Sequence, residues 1–200
     1  TRLALCIVVT AIVWLSLVRL LVASAEGVQS EFTEDLVRLL NRLGGGMNPV
    51  MVVLFFLIAG IAYRERHWIA YAIAMSMAGL GAGTLAQIVK HVVGRARPEL
   101  WLGPMHYAPG SSTSFPSGHT VGAFALAGVL IFASRSTTLR IMAFTLATGI
   151  ALSRVLAFRH WPSDVTASAV IGLVTAWVVT EAVVRNPSPL SPQRRGEILR

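Results

Sequence analysis

A turn that opens directly into an apolar helix lies near the middle of the sequence, at Phe115-Pro116-Ser117-Gly118-His119. Pro116 fixes its own backbone angle, Ser117 is a favoured N-cap residue, and Gly118 lets another group approach the backbone closely. The unpaired N–H groups of such a helix start attract anions, and His119 can exchange a proton near neutral pH. Taken alone, this stretch is more typical of an ordinary capped helix than of a phosphate site.

Two basic residues follow the third apolar segment of the chain. Lys90 and Arg97 are seven residues apart, which is about two helical turns. If the helix continues, both side chains project from one side before Pro98 stops it. Together they could clamp two oxygens of one phosphate.

A third polar cluster comprises Ser153-Arg154, His160 and Asp164. A histidine with a carboxylate four residues later is a pairing that orients an imidazole as nucleophile or base. Pro162 disfavours helical geometry just before it, so a contact between His160 and Asp164 must come from a bend. Residues of these types at helix ends also often do no more than anchor a membrane span, and each cluster alone is more typical of that role.

The composition indicates a membrane protein. Of the 200 residues, 54% are hydrophobic and 13% are charged, which is too apolar for a soluble domain of this length. The formal net charge is +8, but the basic residues are scattered between apolar segments, so a nucleic-acid partner is not expected. The single cysteine, Cys6, permits no disulfide framework and no cysteine metal site.

The apolar segments predict an all-α, polytopic fold with six transmembrane helices. The predicted spans are residues 3–25, 49–63, 68–89, 119–133, a fifth that follows the 134–140 turn and ends near residue 155, and 163–184. In the third span, Gly79 and Gly83 form a pair that predicts close helix packing. We expect one membrane domain over residues 1–185 and a flexible cytoplasmic tail over 186–200.

Two segments outside the spans have distinct patterns. Apolar residues recur at helical spacing over residues 32–43, which indicates an amphipathic helix that either lies in the membrane interface or packs on neighbouring loops. Gly44-Gly45-Gly46 then breaks the chain. The polar stretch from Lys90 to Ser117 predicts a long loop on one membrane face, and long ordered loops often carry function.

The distribution of charge predicts the orientation. The face that holds both termini has nine basic and three acidic residues, and the opposite face has eight basic and six acidic residues. Basic loops stay in the cytoplasm, so the long loop should lie outside, which in a bacterium means periplasmic or extracellular.

Together, the three clusters resemble the complete three-part signature of the type 2 phosphatidic acid phosphatase superfamily. The matching motifs are Lys90-x6-Arg97-Pro98, Pro116-Ser117-Gly118-His119 and Ser153-Arg154-x5-His160-x3-Asp164. Every signature position matches, and the motifs occur in the expected order. The predicted spans also fit the six-helix membrane members of that family.

The resemblance implies a role for each signature residue. His160 would attack phosphorus and form a phosphohistidine, Asp164 would hold its ring in the reactive tautomer, and His119 would protonate the leaving oxygen. The groups that hold the phosphate oxygens would be Lys90, Arg97, Arg154, Ser117 and the backbone N–H of Gly118. With three cations at the phosphate, we expect no metal and no other cofactor. No catalytic role is expected for His91, Arg95 and Arg159, which are interpreted as lipid-headgroup contacts or solvated side chains.

The resemblance further implies a lipid phosphatase of the bacterial inner membrane with its site on the outer face. We expect undecaprenyl diphosphate or a phosphoglycerolipid, such as phosphatidylglycerol phosphate or phosphatidic acid, ahead of lipid A. The reason is that the chain has no large insertion to enclose a sugar headgroup. Vanadium haloperoxidases share these clusters but are soluble and larger. A non-catalytic transporter or scaffold is the alternative of another class, and the sequence indicates no oligomeric state.

Overall fold

The computed structural model describes residues 31–45, 47–100, 102–103, 105–108 and 113–185, with only the backbone of residues 31–33. Within these ranges the regular structure is helical, which confirms the predicted all-α class there. The helices are α1 (Glu31–Gly44), α2 (Asn48–Ala62), α3 (Arg66–Val93), α4 (Gly118–Ala133), α5 (Thr137–Leu156) and α6 (Pro162–Thr180). A 3₁₀ turn covers Pro98–Leu100, and α6 continues as a π-helical turn over Glu181–Arg185. The predicted span at residues 3–25 and the predicted tail at 186–200 lie outside the described residues.

Three of these helices are long and apolar enough to cross a membrane: α3, α5, and α6 with its π-helical turn. The helices α1 and α2 are bent by 61° and could together form a fourth, broken span. However, α2 has 15 residues and α4 has 16, which is about 23 Å of helix against a bilayer core of roughly 30 Å. The predicted count of six spans is therefore not confirmed, because α2 and α4 are apolar but shorter than the bilayer core.

The central helix of the described bundle is α4, which packs against α3, α5 and α6. One side of α4 joins a core with Met75 and Ala176, and Phe124 on another side joins a core with Ala147 and Val165. Because lipid tails are as apolar as leucine, such contacts stabilise a membrane bundle mainly through close packing. The close fit fixes the end of α4 at which His119 lies.

Small residues at intervals of four positions let α4 and α6 approach each other. A β-carbon at Gly172 would stand 2.7 Å from the carbonyl oxygen of Val121 and 2.9 Å from the backbone nitrogen of Ala125. Only glycine permits this contact. Gly172 belongs to a buried stripe on α6 that comprises Asp164, Ser168, Gly172, Ala176 and Thr180.

The corresponding stripe on α3 consists of alanines and not of the predicted glycine pair. Gly79 packs near Leu126, whose Cδ1 would be 3.3 Å from an added β-carbon, whereas an added β-carbon at Gly83 would meet no atom of the described residues within 4 Å. The described helices therefore make no close contact at Gly83. The buried small residues of α3 are Ala72, Ala74, Ala78, Ala82 and Ala86.

The helix α3 ends before Arg97. Gly94 follows its last residue with φ 58°, a left-handed conformation that ends helices and that glycine adopts without strain. The chain then forms an isolated antiparallel bridge between Arg95 and Tyr107, and the Arg95 carbonyl accepts a hydrogen bond from the Ser114 N–H at 3.0 Å. The helix therefore does not continue from Lys90 to Arg97, because Gly94 turns the chain across the end of the bundle.

Candidate active site

Four helix ends meet at one end of the bundle, and each carries part of the predicted site. Lys90 lies in the last turn of α3, and His119 lies in the first turn of α4. Arg154 lies in the last turn of α5, and Asp164 lies in the first turn of α6. Helices that alternate in direction place these ends together, although the residues are up to 74 positions apart in the sequence.

The turn between α5 and α6 delivers His160. Phe158 has φ 53°, a left-handed conformation that is uncommon for a residue with a side chain. The reversal lets the N–H groups of Arg159 and His160 donate to the Arg154 carbonyl at 3.1 and 3.3 Å. The predicted bend is therefore present, and it places His160 beside the end of α5.

Three cations surround the two histidines. The charges of Lys90, Arg97 and Arg154 act on the His160 imidazole, and those of Lys90 and Arg154 also act on His119. The Nε of Arg154 is buried and has no hydrogen-bond partner among the described residues. Buried donors rarely stay unpaired, so this atom indicates a place for an anionic ligand.

His160 is held as a neutral imidazole. It is only 3% exposed, and its Nδ1 donates to the Ser114 carbonyl at 2.5 Å, because a carbonyl oxygen can only accept. Burial, and then the nearby cations, lower the pKa of His160 to about 3, although the Ser114 carbonyl opposes this shift. At neutral pH the Nε2 atom therefore keeps its lone pair, as a nucleophile requires.

Asp164 is fully buried but does not hold the His160 ring in the way predicted. Its Oδ1 accepts from Arg95 at 2.5 Å, and its Oδ2 accepts from the Ser114 hydroxyl at 2.5 Å and from the Trp161 N–H at 2.9 Å. As the third residue of α6, it caps the helix start, which turns the carboxylate back over that end. Asp164 thus reaches His160 through Ser114, whose carbonyl holds the ring.

Arg95 is a residue of the site that sequence reasoning missed. Its side chain is only 11% exposed and pairs with Asp164. It also donates to the Ser163 hydroxyl at 2.8 Å, and its guanidinium lies 5.7 Å from the centre of the Trp161 ring. The interpretation as a headgroup contact or solvated side chain is therefore wrong. The available signal was Gly94, a residue typical of helix ends, which indicates that the chain turns just before Arg95.

Arg97 lies at the rim of the site. It donates to the Thr113 hydroxyl at 2.8 Å and comes within 3.4 Å of Glu99. Glu99 also pairs with Arg159 at 2.8 Å, although Arg159 remains 48% exposed. The rim carboxylate therefore fixes both arginines and lowers the net positive charge that Arg97 brings to the site.

Ser117 is fully buried and anchors the start of α4. Its N–H donates to the Ser168 hydroxyl at 2.8 Å, and its own hydroxyl accepts from Thr120 at 3.0 Å. Gly118 is exposed, and an added β-carbon there would meet no atom of the described residues within 4 Å, so a ligand oxygen could approach its backbone. The contact of Ser117 and Gly118 with phosphate stays a prediction.

The sequence model of the PAP2 superfamily matches residues 67–188, more than half of the chain. The chain belongs to the PAP2 superfamily. This confirms the family that the three motifs predicted. The matched PAP2 region includes the predicted site residues from Lys90 to Asp164 but leaves α1 outside it.

Similar PAP2 proteins include lipid phosphatases of two kinds. The lipid A 1-phosphatase of Porphyromonas gingivalis is 28% identical over 145 residues, which cover 70% of this chain and 31% of that protein. Phosphatidylglycerophosphatase B of Escherichia coli is 36% identical over 90 residues, which cover 44% of this chain and 35% of that protein. The chain spans about a third of the length of these relatives.

A solved PAP2 structure has the same fold. The transmembrane PAP2-type phosphatidylglycerolphosphate phosphatase of Bacillus subtilis aligns with a TM-score of 0.63 at 20% sequence identity. The alignment covers 85% of this chain and 93% of that structure. The helical bundle described above is therefore the PAP2 membrane architecture.

Proposed function

We propose that the chain is a membrane lipid phosphatase that removes a terminal phosphate from a lipid phosphate or diphosphate through a phosphohistidine. The observation that carries this proposal is the neutral, buried His160, whose Nδ1 is held by a carbonyl while three cations surround the ring. Membership of the PAP2 superfamily supports the same reaction class.

Each step of the proposed reaction falls to a residue of the site. Nε2 of His160 attacks phosphorus, the bond from phosphorus to the leaving oxygen breaks, and His119, held protonated by the negative charge of the bound phosphate, gives that oxygen a proton. Water then attacks the phosphohistidine, and His119 takes a proton from it, which releases phosphate and restores His160. The charge on the transferred group is met by Lys90, Arg97 and Arg154.

An apolar groove beside His119 supports a lipid substrate. Its lining includes Gly44 at the end of α1, and Gly122, Leu126 and Leu130 along α4. Gly122 is about one helical turn from His119, and a β-carbon at Gly44 would be 3.5 Å from the His119 ring. A long acyl or prenyl chain in this groove would therefore start next to the proposed proton donor.

Filling the groove should separate long substrates from short ones. Gly122 lines the groove, and an added β-carbon there meets no atom of the described residues within 4 Å, so Gly122→Leu should narrow the groove. We expect kcat/KM for a long-chain lipid phosphate to fall about tenfold, which corresponds to ~1.4 kcal/mol. For a short soluble phosphate ester, kcat/KM should stay within about twofold.

The matched control for the groove is Gly83→Leu, because an added β-carbon at Gly83 also meets no atom of the described residues within 4 Å and Gly83 does not line the groove. Initial rates on both substrates with purified protein give the comparison. An equal loss of kcat/KM on both substrates in Gly122→Leu would contradict a chain-binding groove.

Phosphate release by the purified protein in detergent tests the proposed function itself. We expect release to persist with excess chelator, because lysine and arginine side chains meet the charge of the phosphate. A requirement for added magnesium would contradict the metal-independent mechanism. A complete lack of release from lipid phosphates would favour a non-catalytic transporter or scaffold.

The substrate and the side of the membrane remain proposals. We place undecaprenyl diphosphate and phosphoglycerolipids ahead of lipid A, and we place the site on the outer face because of the charge distribution. One similar protein is a lipid A 1-phosphatase, so lipid A belongs in the comparison. Side-by-side initial rates on undecaprenyl diphosphate, phosphatidylglycerol phosphate, phosphatidic acid and lipid A give the order.

A further inference from the structure

The end of α1 reaches the signature residues from outside the part of the chain that the family comparison covers. We name Asn41–Gly45 the α1 corner. The Oδ1 of Asn41 accepts from Nη1 of Arg154 at 2.7 Å and from the Ser153 hydroxyl at 3.1 Å. These two donors are adjacent residues of the third motif, although Asn41 lies 112 positions before Ser153.

An amide is well suited to this position. Its oxygen fixes one edge of the Arg154 guanidinium while carrying no charge, so the cation keeps its full attraction for an anion. A carboxylate in the same place would pair with Arg154 and compete with phosphate. The Nε of Arg154 has no partner among the described residues. Asn41 therefore orients a guanidinium whose Nε–H can still donate a hydrogen bond to a ligand.

The α1 corner also contacts His119. A β-carbon at Gly45 would overlap Nε2 of the His119 ring, and it would lie 3.1 Å from Cδ2 and 3.3 Å from Cε1. The φ angle of Gly45 lies outside the left-handed region, so glycine is needed here for the close approach and not for the backbone conformation. Asn48 holds the corner, because its side chain donates to the carbonyls of Arg42 and Gly45.

We infer that the α1 corner is a wall of the phosphate site, in which Asn41 positions Arg154 and Gly45 sets the place of the His119 ring. This inference rests on the proposed function. The amphipathic helix α1 thereby serves the site directly, in addition to any contact that its exposed residues Leu36, Leu39 and Leu43 make with the membrane interface.

Asn41→Asp tests the contact with Arg154. We expect the dissociation constant for inorganic phosphate, measured without turnover by calorimetry, to rise at least about tenfold, with a parallel rise in KM. Asn41→Ala should lower kcat/KM by a smaller factor. The control is Arg38→Gln, which makes the same change in net charge on α1 outside the corner, at a side chain that is 63% exposed. Equal weakening of phosphate binding by Asn41→Asp and Arg38→Gln would overturn the positioning role.

Gly45→Ala tests the contact with His119 through the leaving group. An alkyl phosphate needs the proton from His119, whereas a nitrophenyl phosphate has an acidic leaving group that does not. We therefore expect kcat/KM, which reports the transfer to His160 and not the later hydrolysis, to fall at least about tenfold on the alkyl ester and to change little on the aryl ester. Gly83→Ala is the control, because no atom of the described residues lies within 4 Å of the added β-carbon. An equal loss of kcat/KM on both esters in Gly45→Ala would show a general structural defect and overturn the inference.

Phosphate binding separates this inference from the proposed function. One possible outcome is that the wild-type protein binds inorganic phosphate, that Asn41→Asp weakens this binding, and that neither protein hydrolyses a lipid phosphate. In that case the inference about the α1 corner is supported and the phosphatase proposal fails. If the wild-type protein hydrolyses lipid phosphates and Asn41→Asp binds phosphate normally, the phosphatase proposal is supported and the inference about the α1 corner fails.

Discussion

Replacement of His160 with alanine is expected to lower phosphate release from a lipid phosphate by about 10⁴-fold or more, as for other enzymes that lose a nucleophile. The substitution removes a buried, neutral imidazole that is held at Nδ1 by a carbonyl. The cations proposed to bind phosphate remain. Substrate binding should therefore change much less than kcat, and single-turnover rates should show the defect in the chemical step.

The same substitution also tests whether a phosphohistidine forms on His160. Brief reaction with a radiolabelled substrate should leave an acid-labile, alkali-stable phosphoryl group on the wild-type protein and none on His160→Ala. His91→Ala is the matched control, because His91 lies on α3 near the same end of the bundle but is exposed, with its Nδ1 on the Gln87 carbonyl. Labelling of His160→Ala at the wild-type level would show that another residue is the nucleophile.

Loss of the buried ion pair between Arg95 and Asp164 should affect stability and turnover together. Asp164 is fully buried and the Arg95 side chain is 11% exposed, so Asp164→Ala breaks a buried ion pair, which typically costs ~3–5 kcal/mol. It also removes the acceptor of the Ser114 hydroxyl, so the residue whose carbonyl holds His160 loses one of its hydrogen bonds. Thermal unfolding and initial rates of the purified protein measure the two effects.

A double-mutant cycle isolates the pair. Asp164→Asn keeps an oxygen for Ser114 while it removes the charge, so Asp164→Asn combined with Arg95→Gln should be less destabilising than the two single changes added. Glu34→Gln is the control, because it breaks the exposed Glu34–Arg38 pair, which is typically worth less than ~1 kcal/mol. Additive losses in the cycle would indicate that Arg95 and Asp164 act independently.

The sequence predicted the positions of the site residues better than their contacts. His119, Arg154 and Asp164 were found because their residue types are chemically distinctive and each lies at the end of an apolar segment. The support of His160 was not found, because Ser114 provides a backbone carbonyl and every residue type has one. Asn41 was missed for a different reason, since its contact with Arg154 joins two distant helices.

For the fold, too, the sequence predicted local features better than the packing of the helices. Apolar periodicity predicted the helical class and most helix positions, but α2 and α4 are shorter than a bilayer core requires. Gly94 could have indicated the end of α3, since glycine is common at helix ends. The alanine stripe of α3 could not be separated from its other small residues, because its partner helix was unknown.

The close contact between α4 and α6 at Gly172 has a consequence for the spacing of the two imidazoles. His119 begins α4, and His160 is held through Ser114 by Asp164 at the start of α6. Gly172 lies eight residues beyond Asp164, about 12 Å along the helix. The contact at Gly172 therefore acts as a spacer: the distance between the proposed proton donor and the proposed nucleophile is set deep in the apolar bundle, away from the proposed phosphate site.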